Sequence, residues 1–143
     1  MKKVKALLYF PVDILQAIVT VLPGPFGYLL RYHYWKRRLK FLGKKAKIDV
    51  GVYFQNPQFI SISESCWIDR GVMILAGPDT SSRIRNLRDN PNFRLHRGEV
   101  FIGKHVHIGH YSVLSGIGGL YVGDNCGIAS GLKAFSFSHH YRS

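Results

Sequence analysis

The sequence predicts an all-β solenoid, a coil of very short strands, preceded by an α-helical segment. Three observations carry that expectation. Between Glu99 and Leu132 aliphatic residues return at a six-residue interval: Ile102, Ile108 and Leu114 keep one phase, and Val122, Ile128 and Ala134 keep it again. A helix returns its apolar residues at about 3.6 and a half-buried strand at about 2, so this interval fits neither as one continuous element. It fits short strands joined by turns, each aliphatic residue pointing into a narrow core on which the next coil stacks. The second observation is the fourth residue after each aliphatic, where a tight coil has little room: Val106, Ser112, Gly118, Cys126 and Leu132, of which only Leu132 is large. The third is a set of doublets that open coils, Ile60 with Ile62, Val100 with Ile102 and Leu120 with Val122, spaced by one coil length or by two.

A chain of 143 residues is one domain by length, and 46% hydrophobic and 20% charged residues are ordinary values for a soluble protein. Twenty Lys and Arg against eight Asp and Glu give a net charge of +12, which favours an anionic neighbour: nucleic acid, anionic lipid or a phosphorylated substrate. Two cysteines make no disulfide framework. Cys66 and Cys126 both fall at inward positions and read as small core residues.

Residues 1–47 lack the repeat and are expected to be helical and basic. In Ala6–Leu22 the residues Leu7, Leu8, Ile14, Leu15, Ile18 and Leu22 can share one apolar helical face, with Asp13, Gln16 and Thr20 opposite. Pro11 and Asp13 interrupt a run already short for a membrane span of about 20 residues. No small-residue cleavage motif marks a signal peptide. LPGPFGY breaks the helix, and Tyr28 to Leu42 reads as helical again. Arg31, Lys36, Arg37, Arg38, Lys40, Lys44, Lys45 and Lys47 follow with no acid among them. That charge behind an amphipathic helix reads as peripheral contact with a membrane, as a helix packed on the coil with a solvated basic face, or as part of an anchor. Nucleic acid is not expected, since no binding motif accompanies the charge.

The coil is expected from residue 48 to 143. Ile48, Phe54, Ile62, Ile68 and Ile74 form its first inward column, with Val52, Cys66 and Val72 as partners. The beat slips by two residues at Asn56-Pro57, where a proline would be awkward inside a sheet. Residues 77–98 lose the beat altogether and carry Arg83, Arg85, Arg88, Arg94 and Arg97. A loop this long in a compact domain is functional or disordered by expectation, so it either covers a substrate groove or is a solvated insertion.

The six-residue period resembles that of the hexapeptide-repeat acyltransferases, and this resemblance implies a left-handed parallel β-helix. The segment GVYFQNPQFISISESCWIDRGVMI resembles the opening of the bacterial sugar and polysaccharide O-acyltransferases of that class, with Ser63 in place of a glycine. The terminal run from Ala134, AFSFSHHYR, resembles their "S-H-[DN]-[YH]" signature and places His139 at the catalytic histidine, with His140 as the alternative. The resemblance implies transfer of an acetyl or other acyl group from acetyl-CoA to a hydroxyl of a sugar or glycan, with no metal, in a cytoplasmic homotrimer. Such a protein could work at the inner face of the plasma membrane. An imidazole with an ordinary pKa near 6.5 suits the base that takes the hydroxyl proton. Arg83, Arg85 and Asn125 are the acceptor-binding candidates, Asn125 also reading as a plain turn residue beside Asp124. Members of the family continue with further coils that carry much of the acetyl-CoA groove, so a chain stopping at Ser143 is expected to be a C-terminally shortened piece.

Two rival readings belong to other classes. His105, His107 and His110 cluster on outward positions, and β-helical carbonic anhydrases hold zinc through three histidines between subunits. Here His105 and His107 are expected on either side of a turn, diverging, which fits exposed or interface residues better than ligands. The other rival is a non-catalytic β-helical scaffold that binds through its basic N-terminal segment.

Overall fold

In a computed structural model, which describes residues 2–77, 84–85 and 95–139, two α-helices precede a coil of parallel strands. Helix α1 (Lys2–Val21) contains Pro11, and α2 (Gly24–Lys36) begins just after Leu22-Pro23. Pro25 lies in the first turn of α2, where an N–H has no intrahelical partner and its loss is harmless. The helix stops at Lys36, short of the expected Leu42, because Phe41–Leu42 is drawn into a sheet.

The first coil consists of β1 (Phe41–Leu42), β2 (Lys47–Ile48) and β3 (Tyr53–Gln55), and the second of β4 (Ile60–Ile62), β5 (Trp67–Ile68) and β6 (Met73–Leu75). After β7 (Ile84–Arg85), which lies off the coil, the third comprises β8 (Val100–Ile102), β9 (His107–Ile108) and β10 (Val113–Ser115). The fourth comprises β11 (Leu120–Val122), β12 (Gly127–Ile128) and β13 (Lys133–Phe135), and β14 (Ser138–His139) follows. Corresponding strands stack in parallel into three four-stranded sheets, β1-β4-β8-β11, β2-β5-β9-β12 and β3-β6-β10-β13. The architecture is a parallel β-helix-like solenoid with two helices at its start. Its pairing begins at Phe41, before the 47/48 boundary drawn from the sequence.

The register follows the doublets. Ile60 pairs with Val100 and Val100 with Leu120, so the interval holding residues 77–98 is two coil lengths long, yet adds only one coil to the stack. The inward column is Ile48, Phe54, Ile62, Ile68, Ile74, Ile102, Ile108 and Leu114, none more than 4% exposed. Each such side chain contributes roughly 1.5–3 kcal/mol by leaving water, and stacking makes the column continuous. Val106 and Ser112 are buried as expected, but Leu132 is exposed and Cys126 only half-buried. Among the described residues no strand pairs with the outer edges of β11, β12 and β13 to cover them.

Two corners of the coil repeat their backbone. Lys45, Ser65, His105 and Asn125 all take positive φ between the first and second sheets, and Gly51, Gly71, Tyr111 and Gly131 do so between the second and third. The third corner is irregular. In the first coil it holds left-handed Asn56 and a 3-10 turn at Pro57–Phe59, which absorbs the slip seen in the sequence; in the second it opens into residues 77–98.

Arg31 joins the helices to the coil. Buried to 1% exposure, it donates from Nε to the Ile48 carbonyl at 2.7 Å and from Nη1 to the carbonyls of Leu22 and Val19. Burial lowers its pKa, and nearby Asp49 opposes that shift. Trp35 meets Phe54 edge-on at 4.8 Å, seating α2 on the first coil. The side of α1 that packs is the one expected to face water: Val19 is buried with Gln16 and Thr20 half-buried, whereas Ile14, Leu15 and Ile18 are exposed.

Candidate functional site

Two of the residues with expected chemistry, Arg85 and His139, lie on strands that leave the coil at the irregular corner. Residues 77–98 leave the third sheet after β6, and the segment carrying His139 leaves the same sheet after β13. The two excursions meet: β7 pairs antiparallel with β14, Ser138 against Arg85 and His139 against Ile84. The neck of the loop is closed by Gly77 N–H donating to the Gly98 carbonyl at 2.8 Å, and Gly98 N–H donates onward to Ile117 at 2.9 Å. Gly77 has a φ of 99°, which favours glycine, and a Cβ there would strike the Asn56 amide. The stem of β14 is tied as well. Ser136 Oγ donates to the Ser115 carbonyl at 2.9 Å and accepts from Gly118 N–H at 3.0 Å. The coil thus sets where both excursions start, and their own ladder joins them.

Aromatic and charged groups surround this corner. Phe135 and Phe137 meet edge-on at 5.8 Å, and Phe101 stacks on Tyr121 at 5.1 Å with 5° between the rings. Lys40 Nζ lies 2.6 Å from Glu99 Oε1, while Glu99 Oε2 accepts from His96 N–H. These bonds, the lysine's first, hold the Glu99 carboxyl below the usual range against the opposing effect of burial.

The expected site residues separate into three groups. His139 and Arg85 occupy the two paired strands. Arg83 and His140 lie outside the described residues. Asn125 sits exposed at the corner between the first and second sheets, not at the corner from which β14 leaves. Its φ of 58° and the bond from its N–H to the Lys104 carbonyl at 2.8 Å have counterparts at Lys45, Ser65 and His105, so coil geometry accounts for it.

A second cluster went unforeseen. Asp69, buried just after β5, places Oδ2 2.9 Å from His107 Nε2 and 3.2 Å from His110 Nδ1. His107 lies beside Trp67, with ring centroids 5.7 Å apart, and Lys47 Nζ stands 4.8 Å from the Trp67 centroid. The ladder stacks Lys47, Trp67 and His107 in successive coils on the outer face of the second sheet. His105 sits exposed at its corner, while His107 and His110 converge on Asp69. The available signal was register: once Trp67 is set against His107, Asp69 falls between the two histidines. Each imidazole can donate one N–H to the shared carboxylate and keep its other ring nitrogen free for solvent or a ligand. Among the described residues, no group of three or more His, Cys, Asp or Glu side chains is placed to hold a metal ion.

Cys66 is a free, buried thiol directed at the Gly103 carbonyl 3.0 Å away, and burial pushes its pKa up. That is the environment of a core residue, since a thiol held in its protonated form is a poor nucleophile. No protein-family profile, curated protein or solved structure matches the chain.

Proposed function

We propose that the chain belongs to an acyl-CoA-dependent O-acyltransferase that moves an acetyl group from acetyl-CoA to a hydroxyl of a sugar or glycan, with His139 as general base. The observation that supports this reading is the pairing of β7 with β14. It sets the strand containing His139 beside the strand containing Arg85, both leaving the coil at one corner. In this reading the imidazole takes the hydroxyl proton as the oxygen attacks the thioester carbonyl. The tetrahedral oxyanion collapses, the C–S bond breaks, and the imidazolium returns the proton to the leaving thiolate. The positive charge of the arginines between residues 77 and 98 suits an anionic acceptor or the phosphates of the donor.

The same proposal takes the coil as a left-handed helix of hexapeptide repeats and the working enzyme as a cytoplasmic homotrimer with sites between subunits. It requires no metal. The test is transfer of labelled acetyl from acetyl-CoA to a panel of sugars and glycans by the full-length gene product. His139→Ala is expected to lower turnover by about 10²–10⁴-fold, the usual worth of a positioned base, with His140→Ala close to wild type. Wild-type turnover in His139→Ala would overturn the base assignment. Absence of transfer by the unmodified protein to every acceptor would favour the scaffold reading instead.

A further inference from the structure

Helix α1 turns its apolar side away from the protein over residues 11–21. Over residues 11–21 the packed side consists of Gln16, Val19 and Thr20; at about 100° per residue, Ile14, Ile18 and Val21 lie on the opposite side, with Leu15 at its border. They are exposed by 44%, 49%, 62% and 51% respectively. In α2, Phe26 and Leu29 are also exposed, and the same face continues at helical spacing to His33 and Lys36. Apolar side chains at one end of the hairpin thus give way to charge at the other.

This face is held in place. Arg31 bonds to the carbonyls of Val19 and Leu22 at the end of α1 and to Ile48 in the coil, Gly51 N–H donates to the Thr20 carbonyl at 3.1 Å, and Tyr34 Oη donates to Gln16 Oε1 at 3.0 Å. Polar bonds therefore fix the inner side of α1, and over residues 11–21 the apolar side chains opposite it are exposed among the described residues. Exposed apolar side chains clustered on one helical hairpin with a rigid support mark an interaction surface.

Charge selects the occupant. From Arg31 to Lys47 there is no acid, and the chain carries +12 overall. A second copy docking face to face would bring two such basic runs together. An anionic lipid surface accepts both features, taking the apolar side chains into the headgroup boundary and the basic ones against phosphates. None of the described helices is long and apolar enough to cross a membrane, which agrees with a helix lying in the interface. Arg38 over the Tyr34 ring at 4.3 Å and Lys36 over Tyr32 at 5.4 Å add the cation and aromatic groups that suit that depth.

We infer that the α1–α2 hairpin is a docking surface for an anionic membrane, inserted through Ile14, Ile18, Val21, Phe26 and Leu29 and held by the basic run that follows. The inference is independent of the acyltransferase reading. Its test is co-sedimentation of the full chain with vesicles of phosphatidylcholine alone and of phosphatidylcholine mixed with phosphatidylglycerol. Binding to the mixed vesicles is expected, declining as salt is raised. Lys36→Gln with Arg37→Gln is expected to weaken it about 25-fold, at roughly fivefold per charge, while Arg37→Lys keeps it. Ile14→Ser with Ile18→Ser is expected to weaken it at least about 100-fold, with an unchanged urea midpoint because both residues are exposed. Absence of binding, or equal salt-insensitive binding to both vesicle types, overturns the inference. So does a dimer, detected by sedimentation velocity, that the isoleucine variant dissociates while vesicle binding persists.

Discussion

Glu99 opens the third coil and accepts from Lys40, which follows α2, so one ion pair crosses from the helical segment to the coil. Its carboxyl is held below the ordinary range, chiefly by the Lys40 hydrogen bond. A carboxylate whose folded pKa is depressed adds stability that is complete above its unfolded value and disappears as the pH falls through the folded one. Lys40 is half exposed, so the pair is worth less than about 1 kcal/mol. Urea unfolding of wild type and Glu99→Gln should therefore differ slightly at neutral pH and converge on acidification; a gap that widens in acid contradicts the pairing. Single residues were legible in the sequence where their neighbours were local, as with Ile102 and Ile108. The Asp69–His107–His110 contact was not, because it joins adjacent coils whose residues are separated in the chain by the 77–98 excursion.

Strands of two or three residues gain little from their own propensity, and corners decide whether successive coils align. At the first corner Lys45, Ser65, His105 and Asn125 all adopt positive φ, although only His105 and Asn125 are residue types enriched there. Asn125→Val should lower stability by about 1–2 kcal/mol because a second branch on Cβ crowds the backbone in that conformation, which the short polar side chain of Asn tolerates. Asn125→Gly should leave stability nearly unchanged and leave acyl transfer intact. Loss of transfer in Asn125→Gly with an unchanged unfolding midpoint would reassign Asn125 to the acceptor site. The period and the Asn56-Pro57 slip were legible because turns and inward positions are local patterns. That β1 begins at Phe41 was not, since one two-residue strand carries no periodicity.

The helical hairpin and the coil are joined by Trp35 against Phe54 and by Arg31, whose removal strands the carbonyls of Leu22 and Ile48. Arg31→Met should lower overall stability by about 3–6 kcal/mol, at roughly 1.5–3 for each of these two hydrogen bonds to a charged group. In hydrogen exchange, α1 should lose protection well before the stacked strands; uniform loss would mean that the hairpin and coil open as one unit. The sequence by itself determined the coil, because aliphatic residues returning every six fit stacked short strands and neither one continuous helix nor one continuous strand, and it showed the basic run. Only the tertiary structure decided which side of α1 faces the protein, because the pattern marks an apolar side without naming its neighbour. It also decided that β7 meets β14, and that two histidines share Asp69. Both depend on coil stacking, which makes neighbours of residues far apart in the chain.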